Sequence, residues 1–304
     1  MLAKENKAMA AKQSLHARKL MADRYVRYLF LACAMLLTVI VLSIIVFIGQ
    51  QGLQTFSTVS PLEFFFSARW DPMAGQFGAL SFIAGSLAVT LLAVLLGGPL
   101  GLLGAIFMAK VSPKWARDIL RPATDLYVAV PSVVYGFIGI TILVPWIRET
   151  FGVSTGFGLL AAGIILGVMI LPTVISISED AVRSVPASLE EASLALGATR
   201  WQTIWHVLLP AARPGILTAI VLGMARAVGE TMAVQMVIGN TPQLVAGLFQ
   251  PTSTLPSEIV VEMGNTPFGT PWGNSLFMMA LVLLVMSLVL ILAIRRLGER
   301  KVAV

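Results

Sequence analysis

Six apolar runs, each long enough to cross a bilayer, constrain this chain more than anything else in it. They cover residues 29–48, 80–108, 126–146, 159–177, 215–238 and 275–294. A hydrocarbon core takes roughly 20 helical residues to cross, and inside it every backbone polar group must be satisfied within the segment, which selects helices. The chain is 57% hydrophobic and 12% charged, against roughly 25% charged in soluble domains, so an ordinary soluble domain is excluded. The expected fold is all-α and polytopic, with six transmembrane helices. The expected layout is a polar tail over 1–24, a first span with its connection over 25–78, the main transmembrane domain over 79–295 and a second tail over 296–304. The second run is overlong and holds Gly97, Gly98, Pro99 and Gly101, which predicts a kink or break there.

Charge placement predicts orientation. Of the 21 lysines and arginines, all but Arg69, Arg148 and Arg226 fall in the two tails, the connection around 110–121 and the segment from Arg183 to Arg213. Basic residues collect on the cytoplasmic side of short loops, so both termini and the 186–214 segment are expected to be cytoplasmic. Topology accounts for the net charge of +6, and no basic stripe is interleaved with stacking aromatics, so nucleic acid is not an expected partner. Cys33 is the only cysteine, which rules out a disulfide framework or thiolate metal site. The first run is longer than a signal-peptide core and lacks a small-x-small cleavage site, so it reads as a retained anchor.

The polar 186–214 segment reads as two short helices. Ser188 with Glu191 is expected to form a capping box, Gly197 to stop that helix, and Thr199 with Gln202 to open the next. Ala192, Ser193 and Ala195 offer small contacts, and Leu189 and Leu196, seven apart, are expected on one face. An ordinary amphipathic connector is the plainer reading. The chain has no Gly-x-x-x-x-Gly-Lys-Ser/Thr and no glycine before any lysine, so a phosphate-cradling ATPase loop is absent. His16 and His206 lie outside the apolar runs, and neither His-Glu-x-x-His nor Gly-x-Ser-x-Gly occurs, which argues against an intramembrane enzyme.

Arg226 and Glu230 stand one turn apart in the fifth run. Each charge at a helix centre costs roughly 2.5 to 3.5 kcal/mol to insert, so such residues face protein or water. With Ala219, Gly223 and Ala227 they are expected to share a face suited to close packing. One reading is an ion pair pinning two helices; the other is a substrate path in which the arginine fork receives an oxyanion. Both can hold. An ionised Glu230 only accepts hydrogen bonds, so it would tolerate hydrogen phosphates, which bring a donor, and repel sulfate. On the opposite side, 61–72 carries an aromatic cluster suited to the headgroup zone. Residues 254–264 read as a capped helix that contacts an external partner or lids the pore.

The order Glu191-Ala192-Ser193, three residues, Gly197, nine residues, then Val207-x-Leu209-Pro210 resembles the EAA signature of ABC-importer permeases. The run from Ala225 to Val234, then Ile238-Gly239-Asn240-Thr241, together with Pro131 to Gly136, Trp70-x-Pro72 and Phe77-Gly78, is similar to the PstC permease-subunit family of the bacterial phosphate importer. The sister PstA family usually continues Ala-Pro where this chain has Met232-Ala233-Val234. The resemblance covers about 70–294. It implies a type I ABC-importer permease fold in the bacterial inner membrane, forming half of a pore with a PstA-like chain. It also implies a PstB-like ATPase dimer that carries the ATP and magnesium, a PstS-like external phosphate-binding protein, phosphate as substrate and no cofactor on this chain. By the same resemblance Arg226, Glu230, Thr231, Ser132 and Tyr135 belong to the substrate path. Glu190, Glu191, Ala192, Ser193, Gly197 and Pro210 would couple to the ATPase. The alternatives are a permease for another oxyanion or the PstA-type sister subunit; the coupling segment disfavours a stand-alone carrier.

Overall fold

The computed structural model describes residues 2–299, with side-chain surroundings for 24–296. Arg300 and Lys301 of the basic C-terminal tail, and the N-tail lysines, lie outside those described surroundings. The chain divides into two compact units, residues 1–50 and 51–304.

In the first unit the N-tail is not a separate element, because one helix runs Leu2–Leu53. Its side chains from 24 to 44 are all exposed, although nearly all of those from Leu29 to Ile44 are apolar. Such a surface is stable only against lipid or another polypeptide.

All six apolar runs become helices long and apolar enough to cross a membrane: Arg24–Ser57, Leu80–Val111, Ser132–Phe151, Leu159–Arg183, Arg200–Gly229 and Pro271–Arg296, here called spans one to six. Three of them depart from the expectation. In span two the helix Leu80–Ile106 continues through Pro99 and ends in a single π turn, Phe107–Val111, so the expected break does not occur. The glycines serve packing instead. A Cβ on Gly97 would stand 2.5 Å from the Gly167 carbonyl oxygen of span four, and one on Gly101 would stand 2.7 Å from Val174. The two helices approach there at backbone distance and share the most extensive contact in the fold. Span three starts later than expected. Lys114–Val128 is a separate amphipathic helix, and the chain turns at Pro131 before Ser132, because a proline disfavours helical geometry in the residue ahead of it. Span five ends at Gly229. The next helix is Met232–Val237, with Glu230 extended between them (φ −73°, ψ 125°).

Three apolar clusters follow span two along its length. Near its start Phe82 packs with Phe64, Trp70, Phe77, Leu255, Leu276 and Met279. In the middle Val89 and Ala93 join Leu166, Met169, Ile170, Ala227 and Val234. At its far end Ile106 meets Val182, Ile204, Leu208 and Ile216. The first cluster gathers a small antiparallel hairpin, Trp70–Asp71 with Gln76–Phe77, and the helix Leu255–Met263 that joins spans five and six. The last gathers the 186–214 segment. Those two parts of the chain therefore sit at opposite ends of the bundle.

Candidate functional site

Breaking span five changes the geometry of its charged residues. Arg226 and Glu230 do not form an ion pair, and the helix that would have stacked them one turn apart stops between them. Glu230 instead turns its Oε1 to the Ala233 N–H, 3.4 Å away, accepting at the start of the next helix. Gly229 weakens the helix by about 1 kcal/mol relative to alanine, and the Glu230 carboxylate offers the freed donors an alternative partner. Ala219, Gly223 and Ala227 are buried as expected, whereas Arg226 and Glu230 are both half-exposed.

The helix Ser132–Ile138 packs on Met232–Val237 so closely that a Cβ on Gly136 would lie 3.2 Å from the Ala233 Cα and 2.6 Å from the Met236 sulfur. This brings Ser132 and Tyr135 to the same break. The Tyr135 hydroxyl donates to the Tyr127 carbonyl at 2.8 Å, and the two rings stand 5.2 Å apart. Tyr135 and Ala227, the residue after Arg226, lie in the same buried cluster. Thr231 is half-exposed, its hydroxyl donating back to the Gly229 carbonyl at 3.3 Å. The fold thus gathers a cation that is in no ion pair among the described residues, a hydroxyl and a broken helix in an apolar span. Such a group can hold an anion by a charge-assisted fork.

At the Ile106 end of the bundle, the first helix of the segment runs Ala187–Ala195. The expected Ser188–Glu191 capping box is not formed. Pro186 opens the helix without a side-chain cap, and its carbonyl already accepts from Leu189 N–H at 3.1 Å, which places Ser188 inside the first turn. Gly197 does stop the helix, with φ +86°, a conformation glycine adopts at no steric cost. The Thr199–Gln202 box forms in both directions. Ser193 Oγ and Thr203 Oγ1, 3.0 Å apart, join the two helices. Glu191, Ala192, Gly197 and Pro210 are exposed, as are Leu189 and Leu196, the latter 90% exposed. Glu190 is engaged within the chain, paired with Lys110 at 2.5 Å, which ties the end of span two to this segment. His206 is a surface residue, its Nδ1 3.1 Å from the Gln202 carbonyl.

Two features escaped the sequence reading. Glu179, fully buried near the end of span four, is ion-paired with Arg183 one turn on; ending that run at 177 hid it. In the helix Leu255–Met263, Glu262 accepts from two indoles, Trp70 Nε1 at 2.9 Å and Trp272 Nε1 at 2.7 Å. This helix is capped as expected, and the cap is a box of Thr254 with Ser257.

A bundle of membrane-length helices with a charged break at its middle and an exposed two-helix foot at one end defines a polytopic permease subunit. Known proteins place it more narrowly. Residues 101–302 match the family of binding-protein-dependent transport system inner membrane components, and the chain belongs to that family. It is 51% identical to the probable ABC transporter permease protein YqgH of Bacillus subtilis over 90% of both chains. It is 34% identical to the phosphate transport system permease protein PstC of Mesorhizobium japonicum, over 87% of this chain and 86% of that one. A chain of a solved bacterial ABC transporter, involved in import of the acidic polysaccharide alginate, superposes with a TM-score of 0.59 at 16% identity. The superposition covers 90% of this chain and 96% of the other, which shows a shared fold.

Proposed function

We propose that this chain is a PstC-type permease subunit that forms half of the pore of an ATP-driven importer of inorganic phosphate. The observation that carries the reading is Arg226, a guanidinium in no ion pair among the described residues and beside the break in span five, with Tyr135, Ser132 and Thr231 brought to the same place. Relatives named as phosphate transport permeases support the choice of anion. Glu230 stays on the path as an acceptor-only group, held by the Ala233 N–H. The exposed foot around Glu191, Ala192, Ser193 and Gly197 docks on a separate ATPase dimer that supplies ATP and magnesium, and Lys110–Glu190 braces it against span two. A PstA-like chain completes the pore. A PstS-like binding protein delivers phosphate to the end holding the helix Leu255–Met263, and both termini are cytoplasmic.

Purifying the chain with its neighbouring subunits and asking which anion stimulates ATP hydrolysis tests this. Phosphate-loaded binding protein should stimulate and sulfate should not; stimulation by another solute but not by phosphate rejects the substrate. In the same preparation Glu230→Gln should lower the preference for phosphate over sulfate by about tenfold, the worth of one discriminating contact near 1.4 kcal/mol. Unchanged selectivity with transport intact would remove Glu230 from the filter.

A further inference from the structure

We propose that Glu258 and Glu262 form a proton-binding site that latches together the hairpin, the helix Leu255–Met263 and the start of span six. The two carboxyls are one turn apart on one helix, which sets them on the same face. Glu258 is 4% exposed. The Ser253 hydroxyl donates to its Oε2 at 2.7 Å, and Ser257 Oγ lies 3.1 Å from Ser253 Oγ. Glu262 has both oxygens committed, to Trp70 and Trp272. Neither carboxyl is in an ion pair among the described residues, and residues 239–273 contain no lysine or arginine.

Two carboxylates so placed, one without access to water and neither with a cation, are not both stable ionised. With one proton between them, Glu258 donates to Glu262, which then accepts from three donors and is fully satisfied. Releasing that proton to solvent removes the donor and leaves two negative charges a turn apart. Burial, with the neighbouring Glu262 charge adding to it, raises the Glu258 pKa from 4.5 to about 7. The elements packed against the site bring little else that titrates. Span two has no charged residue over Leu80–Ile106, and Met232–Val237 has none; Glu230 precedes the latter but caps it through Ala233. The hairpin brings Asp71, whose carboxylate is occupied by the Met73 and Ala74 amides; Arg69, just before it, and Glu63, on the helix Pro61–Phe66, are exposed, and the charges of span six, Arg295 and Arg296, are at its other end.

The neutral form is the one the folded chain prefers. The stabilisation is therefore complete below about pH 4.5 and is lost as pH rises through about 7. What comes apart is the set of contacts that holds Trp70 and Trp272 on Glu262 and, through the Ser86 hydroxyl that accepts from Leu255 N–H at 2.9 Å, the helix on span two. Only the identity of the compartment whose pH is sensed rests on the orientation proposed above.

Hydrogen exchange of the 255–263 amides in the full chain, corrected for the intrinsic pH dependence of exchange, tests the site without phosphate or ATP. From about pH 5 to 8 protection should fall, by up to tenfold per pH unit below pH 7, the limit for one proton, and level off above it. In Glu258→Gln it should be flat. In Glu262→Gln, which removes the like charge and one of the two acceptor oxygens, the loss should move to lower pH. Infrared titration of the wild type supplies the check if Glu258→Gln fails to fold: a protonated-carboxyl band should disappear over that range and shift in Glu262→Gln. A pH profile shared by the wild type and the variants, or no carboxyl titrating there, overturns the proposal. Because neither readout involves transport, failure of the substrate reading leaves this result standing.

Discussion

Arg226→Ala should leave a subunit that folds and co-purifies with its partners yet transports phosphate about 100-fold more slowly at limiting substrate. Arg226 is in no ion pair among the described residues, so truncating it strands no buried carboxylate there, the event that makes loss of a buried ion-pair member so destabilising. Its value is to the anion. A hydrogen bond to a charged group contributes about 1.5 to 3 kcal/mol. Two from one guanidinium fork reach about 3 kcal/mol or more, which is roughly two orders of magnitude. Arg226→Lys keeps the charge and loses the planar fork, so it should fall between, near tenfold. Uptake into proteoliposomes with complex yield measured in parallel decides the matter. If the alanine variant assembles and transports normally, Arg226 is not on the path. If it fails to assemble, Arg226 is a packing residue.

That expectation rests on a geometry only half legible in the sequence. The apolar runs announced every span, because the requirement to satisfy backbone groups in lipid leaves a long helix as the solution, although the ends of spans three and five fall elsewhere. Gly197 and the Thr199–Gln202 box were legible for the same reason: a helix end is decided within a few residues. What a period of 3.6 does not register is a break inside a run that stays apolar on both sides. Gly229-Glu230-Thr231 interrupts 215–238 without interrupting its hydropathy, so Arg226 and Glu230 read as stacked when they are separated. The Ser188–Glu191 box failed through a register shift of two residues, since Pro186 and not Ser188 caps the helix. The Glu262 site is of another kind, because its partner Trp70 is 192 residues away in the chain. No local pattern specifies such a contact; the cluster around Phe82, Leu255 and Leu276 creates it.

Gly97 and Gly98 should respond to alanine in opposite directions, which separates packing from helix propensity at adjacent positions. Both lie inside the helix Leu80–Ile106, so each substitution gains about 1 kcal/mol from the reduced freedom of the unfolded chain and the better helix former. At Gly98 the nearest atom to a new Cβ is 3.9 Å away on Val94, ordinary contact, and the gain should survive as unchanged or slightly raised thermal stability. At Gly97 the Cβ would stand 2.5 Å from the Gly167 carbonyl oxygen and 2.7 Å from Ile170. The first of these is backbone, which cannot rotate away. Spans two and four must part over their closest stretch, and overpacking of this kind costs about 1 to 3 kcal/mol for a methyl group and more for a larger one. The clash outweighs the propensity. Gly97→Ala should therefore lower the thermal midpoint and the yield of assembled complex, and Gly97→Leu should abolish assembly. Midpoints measured on the detergent-purified variants decide it: if Gly97→Ala is as stable as Gly98→Ala, spans two and four are not in backbone contact at this point.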